Sequence, residues 1–278
     1  MRLSEILNES CFGTIATIKD ETCLEKLSFF IGSNKAFINN FNHIVLSFNW
    51  LETTSPEVIL SYKKIWSENV PNVVFLESST NRGHMFGTID LEEDILKFVK
   101  SNYTDVKFLF KSMDDVIVTN LLLDLDLPEA DFYYLPGFSY ESIIKANGRD
   151  NLYIIYEDFE SGYWAPQTTF FIINVNLVDK IYGEDIEDKL NIYLEQKKTY
   201  PGIMPWDIPF EIKFDCENHL GRTVKDFDKC PLLSFTPFKN LLQLVEIYKM
   251  GDPSHKNIFF SEIGICHYHF HKEGIFHI

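Results

Sequence analysis

Apolar residues in the first half of the chain fall into short continuous runs separated by helix-like stripes. Residues 44 to 48, IVLSF, form a run of strand length, which predicts a strand buried on both faces. Ser55 and Pro56 follow as a helix N-cap and first helical position. Behind them Val58, Ile59, Tyr62, Ile65 and Trp66 recur at the spacing of one helix face. Residues 73 to 76, VVFL, predict a second strand. Asp90 and Glu93 stand at capping-box spacing before the stripe Leu91, Ile95, Phe98 and Val99. Residues 106 to 110, VKFLF, predict a third strand.

Strand, helix, strand, helix, strand in about 70 residues predicts a parallel α/β sheet. Such sheets bind ligands outside the carboxyl ends of their strands. The segments just after residues 48, 76 and 110 are therefore where chemistry is expected. In the second half, residues 132–135, 153–156 and 169–175 predict strands. Helices are predicted from Tyr182 to Gln196, and from Thr236 with the stripe Phe238, Leu241, Leu242 and Val245 until Gly251 and Pro253. No repeat and no Gly/Ser/Pro linker interrupts the chain, so residues 1–278 read as one domain.

Composition narrows the partners. The chain is 45% hydrophobic and 15% aromatic, enough for a sizeable core, and its net charge is −16. A nucleic-acid partner needs a basic face, which this sequence does not supply, and an anionic membrane surface would repel it. No apolar run approaches the ~20 residues of a membrane span, and the N-terminus lacks the apolar core of a signal peptide. Five widely spaced cysteines without a CxxC fit reduced thiols in a cytoplasmic protein. A chain this acidic can hold a diphosphate only through a divalent cation or a few well-placed basic side chains.

The acidic pair in KFLFKSMDDVIV, Lys107 to Val118, gives that requirement a location. Asp114 and Asp115 follow the third predicted strand. Hard cations such as Mn²⁺ and Mg²⁺ take oxygen ligands and keep positions open for substrate phosphates. The stretch resembles the core of GT-A-fold glycosyltransferases, in particular the beta-1,3-galactosyltransferase type. Lys111 matches that motif's Lys, Asp114 its middle Asp and Asp115 its last, metal-coordinating Asp; Met113 stands where the first Asp belongs. The resemblance covers roughly residues 40 to 120 and implies a GT-A-like (Rossmann-like) α/β fold with a mixed, mostly parallel central sheet flanked by helices. It implies a nucleotide-sugar donor half at about 40–120 and an acceptor half at about 121–278. It further implies Mn²⁺ or Mg²⁺ as cofactor, a UDP-sugar donor and a carbohydrate or glycoconjugate acceptor. Asp124-Leu125-Asp126 spells a literal DxD, but in an apolar, helical-looking run.

Other site candidates follow from position and residue type. After the first predicted strand, Ser47, Phe48, Asn49 and Trp50 offer stacking and hydrogen bonds to a nucleotide base. After the second, Glu77 suits ribose hydroxyls, and Asn81 and Arg82 suit phosphate or ribose. ICHYHFH places His267, His269 and His271 on one face of a predicted strand, a plausible metal ligand set; the GT-A resemblance implies that one C-terminal His, His269 or His267, joins the metal opposite the acidic motif. Glu217 and Asp215 in DCENHLG are the candidates for catalytic base, although Asn218 replaces the Asp of the family's Glu-Asp motif. Trp164 and Gln167 suit sugar recognition. The expected activity is metal-dependent glycosyl transfer. The alternatives are a hydrolase built on the C-terminal histidines and a non-catalytic carbohydrate- or nucleotide-binding protein.

Overall fold

The strand that organises the sheet is one that the apolar-run pattern passes over. The structure, a computed structural model, describes residues 2–79, 81, 84–124, 132–136, 166–182, 265–271 and 274–277, with side chains over 2–79, 81, 87–124, 170–179 and 182. In it β1, Ser10–Ile18, pairs in parallel with β2, His43–Trp50, along one edge and with β4, Phe108–Met113, along the other. β3, Val73–Ser78, adds in parallel outside β2. β7, Pro166–Asn174, runs antiparallel to β4, and β6, Phe132–Pro136, antiparallel to β7. The order is β3-β2-β1-β4-β7-β6. The parallel strands expected from the strand–helix alternation are present, and the antiparallel β7 and β6 make the sheet the mixed, mostly parallel one that was expected.

Helices cover both faces because the strands alternate into two cores. Phe12, Ala16 and Ile18 of β1 pack with Phe30, Ile31 and Phe37 of α1, Thr22–Ile38, and with Tyr62 and Trp66 of α2, Pro56–Asn69. Cys11 and Ile15 face the other way, onto Ile95, Leu96 and Val99 of α3, His84–Asn102. At Gly13 the layers approach so closely that a Cβ would lie 2.7 Å from Leu109 Cδ1 and 3.1 Å from Ile95 Cγ2.

Local signals hold unevenly. α2 starts where expected: Ser55 is the N-cap and its Oγ accepts from the Val58 N–H at 3.4 Å. α3 instead begins at His84, six residues before the supposed capping box, so Asp90 and Glu93 lie inside the helix. There Glu93 pairs with Lys97 one turn on. β4 continues past Phe110 to Met113 because β1 keeps offering a partner as far as Ile15. The expected strands at 132–135 and 169–175 correspond to β6 and β7. The expected strand at 153–156 and the helix from Thr236 lie outside the described residues, as does all but Tyr182 of the helix expected at 182–196. No helix among the described residues is long and apolar enough to cross a membrane.

Asp114 and Asp115 form the turn between β4 and β5, Val116–Val118. β5 pairs antiparallel with β8, Ile265–His271, which pairs with β9, Gly274–His277. The α1-facing side of β5 is held by a side chain. The buried Asn34 donates from Nδ2 to the Val116 carbonyl at 3.0 Å, and its Oδ1 accepts from the Val118 N–H at 2.6 Å. One amide thus supplies the donor and acceptor that a neighbouring strand would. Asn34→Ala leaves two buried backbone groups unpaired. It should lower stability by about 2–4 kcal/mol in urea unfolding, with the loss falling on the strand that follows the acidic turn.

Candidate functional site

The chain moves from β1 through β2 to β3 on one side, then returns through α3 to β4 on the other side of β1. A doubly wound sheet opens a crevice where the winding reverses. Here a cavity of about 500 Å³ opens at the carboxyl ends of β1 and β4. β4 contributes Met113 and the acidic turn, Asp114 and Asp115. Thr17 and Lys19 come from the end of β1, and Lys26 from α1. Asn81, after β3, and Thr88, on α3, complete the polar wall.

The loops around the cavity are tied together. Thr54 Oγ1 lies 3.0 and 2.9 Å from the carbonyl oxygens of Ile18 and Lys19, and accepts from the Leu51 N–H at 3.2 Å. This cross-link joins the segment after β2 to the one after β1, so that the backbone carrying Lys19 is held against its neighbour.

The acidic turn is electrostatically crowded. Lys26 Nζ donates to Asp114 Oδ1 at 2.8 Å, with side chains 26% and 17% exposed respectively. Burial pushes the Asp114 carboxyl up; Lys26 draws it back, Asp115 adds to the rise, and the net direction is upward. Burial alone would lower the Lys26 ammonium, but the charges on Asp114 and Asp115 outweigh it, and its pKa is raised. Among the described residues, the Lys26 ammonium thus bonds one of the two neighbouring carboxylates of this turn.

Of the residues singled out in the sequence, Asp114, Asp115 and Asn81 meet at this cavity. Others sit elsewhere. Lys111, expected to support the donor, has no exposed surface; its Nζ lies 2.6 Å from Glu92 Oε1, whose Oε2 accepts from the Tyr182 hydroxyl at 2.8 Å. On alternate residues of β4, Lys111 faces α3 and its charge is engaged inside the core. Glu77 pairs with Lys63 of α2 at 2.6 Å, away from the cavity. Phe48 is wholly buried between the sheet and α2, with Trp50 packed beside it. Ser47 and Asn49 are wholly buried too, and among the described residues their side-chain polar atoms have no hydrogen-bond partner. Asn49 lies against α3 at Gly87, where a Cβ would fall 3.2 Å from Asn49 Nδ2 and 3.6 Å from Asn81 Oδ1.

His267 and His269 lie on β8, where His267 is the register partner of Val116, the residue after Asp115; His269 is the partner of Phe276 on β9. Gln167 lies on β7. Arg82, Trp164, Asp215, Glu217 and Asp126 fall outside the described residues. Thr17, Lys19, Lys26 and Thr88 were missed in the sequence reading. The first three belong to β1, α1 and the turn between them, a unit whose signal was the run CFGTIATI followed by Leu24, Leu27, Ile31 and Ile38 at helical spacing.

No family model and no curated protein matches the sequence. Solved structures do resemble it. Core-mannan synthase A from Aspergillus fumigatus, in a Mn/GDP form, aligns at 12% identity over 81% of this chain and 72% of that one, with a TM-score of 0.42. The apo structure of the bifunctional glycosyltransferase WbbM aligns at 14% identity over 68% of this chain and 35% of that one, with a TM-score of 0.37. At these scores neither likeness bears on function.

The environment of Lys111 makes its role separable from ligand binding. Removing one partner of a buried ion pair strands the other charge at a cost of about 3–5 kcal/mol. Glu92→Ala should lose stability on that scale in urea unfolding. Lys111→Met/Glu92→Gln, which keeps an acceptor for Tyr182, should lose much less than either single change and should leave ligand responses at the cavity intact.

Proposed function

We propose that this chain is a metal-dependent glycosyltransferase using a nucleoside diphosphate sugar, with a UDP-sugar as the preferred donor, Mn²⁺ or Mg²⁺ as cofactor and a carbohydrate or glycoconjugate as acceptor. The observation that carries the reading is the acidic turn at the carboxyl end of β4, opening into the cavity where the sheet reverses its winding. In parallel α/β sheets this is the position where nucleotides bind. The resemblance of the same turn to the GT-A metal motif selects sugar transfer among nucleotide-dependent reactions.

The donor set fits a hard divalent cation. Asp115 and Asp114 supply carboxylate oxygens on adjacent residues, and a cation there relieves the mutual repulsion that helps to raise the Asp114 pKa. Among the described residues no three His, Cys, Asp or Glu side chains cluster as a metal site. Two protein carboxylates leave coordination positions for phosphate oxygens, as Mg²⁺ and Mn²⁺ sites commonly do. His267 or His269 is the proposed further ligand, supported by the pairing of β8 with β5 just beyond Asp115. When bound, the cation offsets the charge developing on the departing diphosphate.

The chain's own residues have the remaining tasks. Asp115 holds the cation and Asp114 shares the carboxylate wall. Asn81 and Thr88, which also line the cavity, offer hydrogen bonds to donor hydroxyls. Glu217 or Asp215 accepts the proton of the attacking acceptor hydroxyl, and Trp164 with Gln167 packs the acceptor sugar; these four assignments rest on the sequence.

Mn²⁺ with UDP or a UDP-sugar should stabilise the native protein. At ligand a hundredfold above its Kd the gain is about 2.7 kcal/mol, or about 5 °C in Tm for a chain of this size. Asp115→Ala should abolish that shift and the slow hydrolysis of the donor, while unfolding at a similar temperature without ligand. A strong zinc response with no nucleotide effect would instead favour the hydrolase alternative.

A further inference from the structure

Two lysine–carboxylate pairs lie near β4, and they differ in one respect that matters. The Lys111–Glu92 pair is sealed in the core, 0% and 1% exposed. The Lys26–Asp114 pair is partly exposed, and both members line the cavity. A ligand entering the cavity meets the second pair and cannot reach the first.

We propose that Lys26 is an exchangeable counter-ion, which pairs with Asp114 while the acidic turn is metal-free and moves to the diphosphate when a divalent cation takes the carboxylates. The inference rests on the site proposed above and adds a residue and a linkage to it. An ammonium and a divalent cation on the same carboxylates repel each other, so Lys26 opposes metal binding as long as it stays. A diphosphate bound through the metal offers the displaced ammonium a new anionic partner within the same cavity. Lysine suits this role because its charge sits at the end of a flexible four-carbon stem. Lys19, on the same wall, adds a second cation for the phosphates. Metal and diphosphate then each bind weakly alone and tightly together, and each raises the affinity of the other by the same factor.

The test is isothermal titration of wild type, Lys26→Met and Lys26→Arg with Mn²⁺ alone and with UDP at saturating Mn²⁺. Lys26→Met should bind Mn²⁺ alone several-fold more tightly and UDP roughly tenfold more weakly, as expected for a lost charge-assisted contact. Lys26→Arg, which keeps the charge, should hold UDP affinity within about twofold of wild type. Should Lys26→Met fail to fold by circular dichroism, Lys26→Gln takes its place with the same expectations. If wild type binds both ligands and the neutral variant binds each of them as wild type does, the counter-ion role is overturned and the site stands. Weaker binding of Mn²⁺ alone by the neutral variant also overturns it. If wild type binds neither ligand, the site and this role fall together.

Discussion

β1 carries hydrogen-bond ladders on both edges, parallel to β2 on one side and to β4 on the other. It is buried along nearly its whole length. Because every backbone donor and acceptor of a buried strand needs a partner, its neighbours must lie in register along it. That requirement extends β4 to Met113, opposite Ile15, and so delivers Asp114 and Asp115 to the mouth of the sheet. The same strand is where the winding changes direction, and the reversal leaves room above its carboxyl end. The cavity and the acidic turn therefore have a common origin in how β1 is paired.

The acidic turn depends on support from both sides. Asn34 bonds the backbone of β5 from α1, and β8 pairs along β5. The turn is thus anchored by β4 before it and by a doubly supported β5 after it. Two adjacent carboxylates in a part-buried turn repel each other and lose hydration. A rigid anchor lets the fold hold them there, with Lys26 offsetting part of the charge.

Lys111 and Lys26 show how burial separates an enclosed charge from an accessible one. Both lie near the acidic turn and both bond a carboxylate. Lys111 occupies the α3 face of β4, where it is buried with Glu92, which also accepts from Tyr182. Lys26 comes from α1 at the open end of the sheet. A charge enclosed with its partner contributes to the integrity of the core, since breaking the pair strands the other member. Lys26, partly exposed at the cavity, lies within reach of whatever enters it.

Much of the α/β pattern was legible locally. IVLSF and VVFL are long enough and apolar enough to mark β2 and β3, and Ser55-Pro56 marks the start of α2 through a cap that uses only neighbouring atoms. β1 was not legible, because Gly13, Thr14 and Thr17 dilute its apolar run; Gly13 is there for the close approach of Leu109 and Ile95, which are distant in sequence. α1 was obscured by Asn34, a polar residue within its apolar stripe that bonds backbone atoms of β5 more than 80 residues away. By itself the sequence determined which segments form β2, α2 and β3, and that two carboxylates follow within a few residues of a strand at 106–110, since those depend on local periodicity and capping. Only the tertiary structure decided that Lys111 turns inward to Glu92 while Lys26 meets Asp114. Which lysine faces the cavity follows from strand order and helix placement, and both are fixed by contacts between residues far apart in the chain.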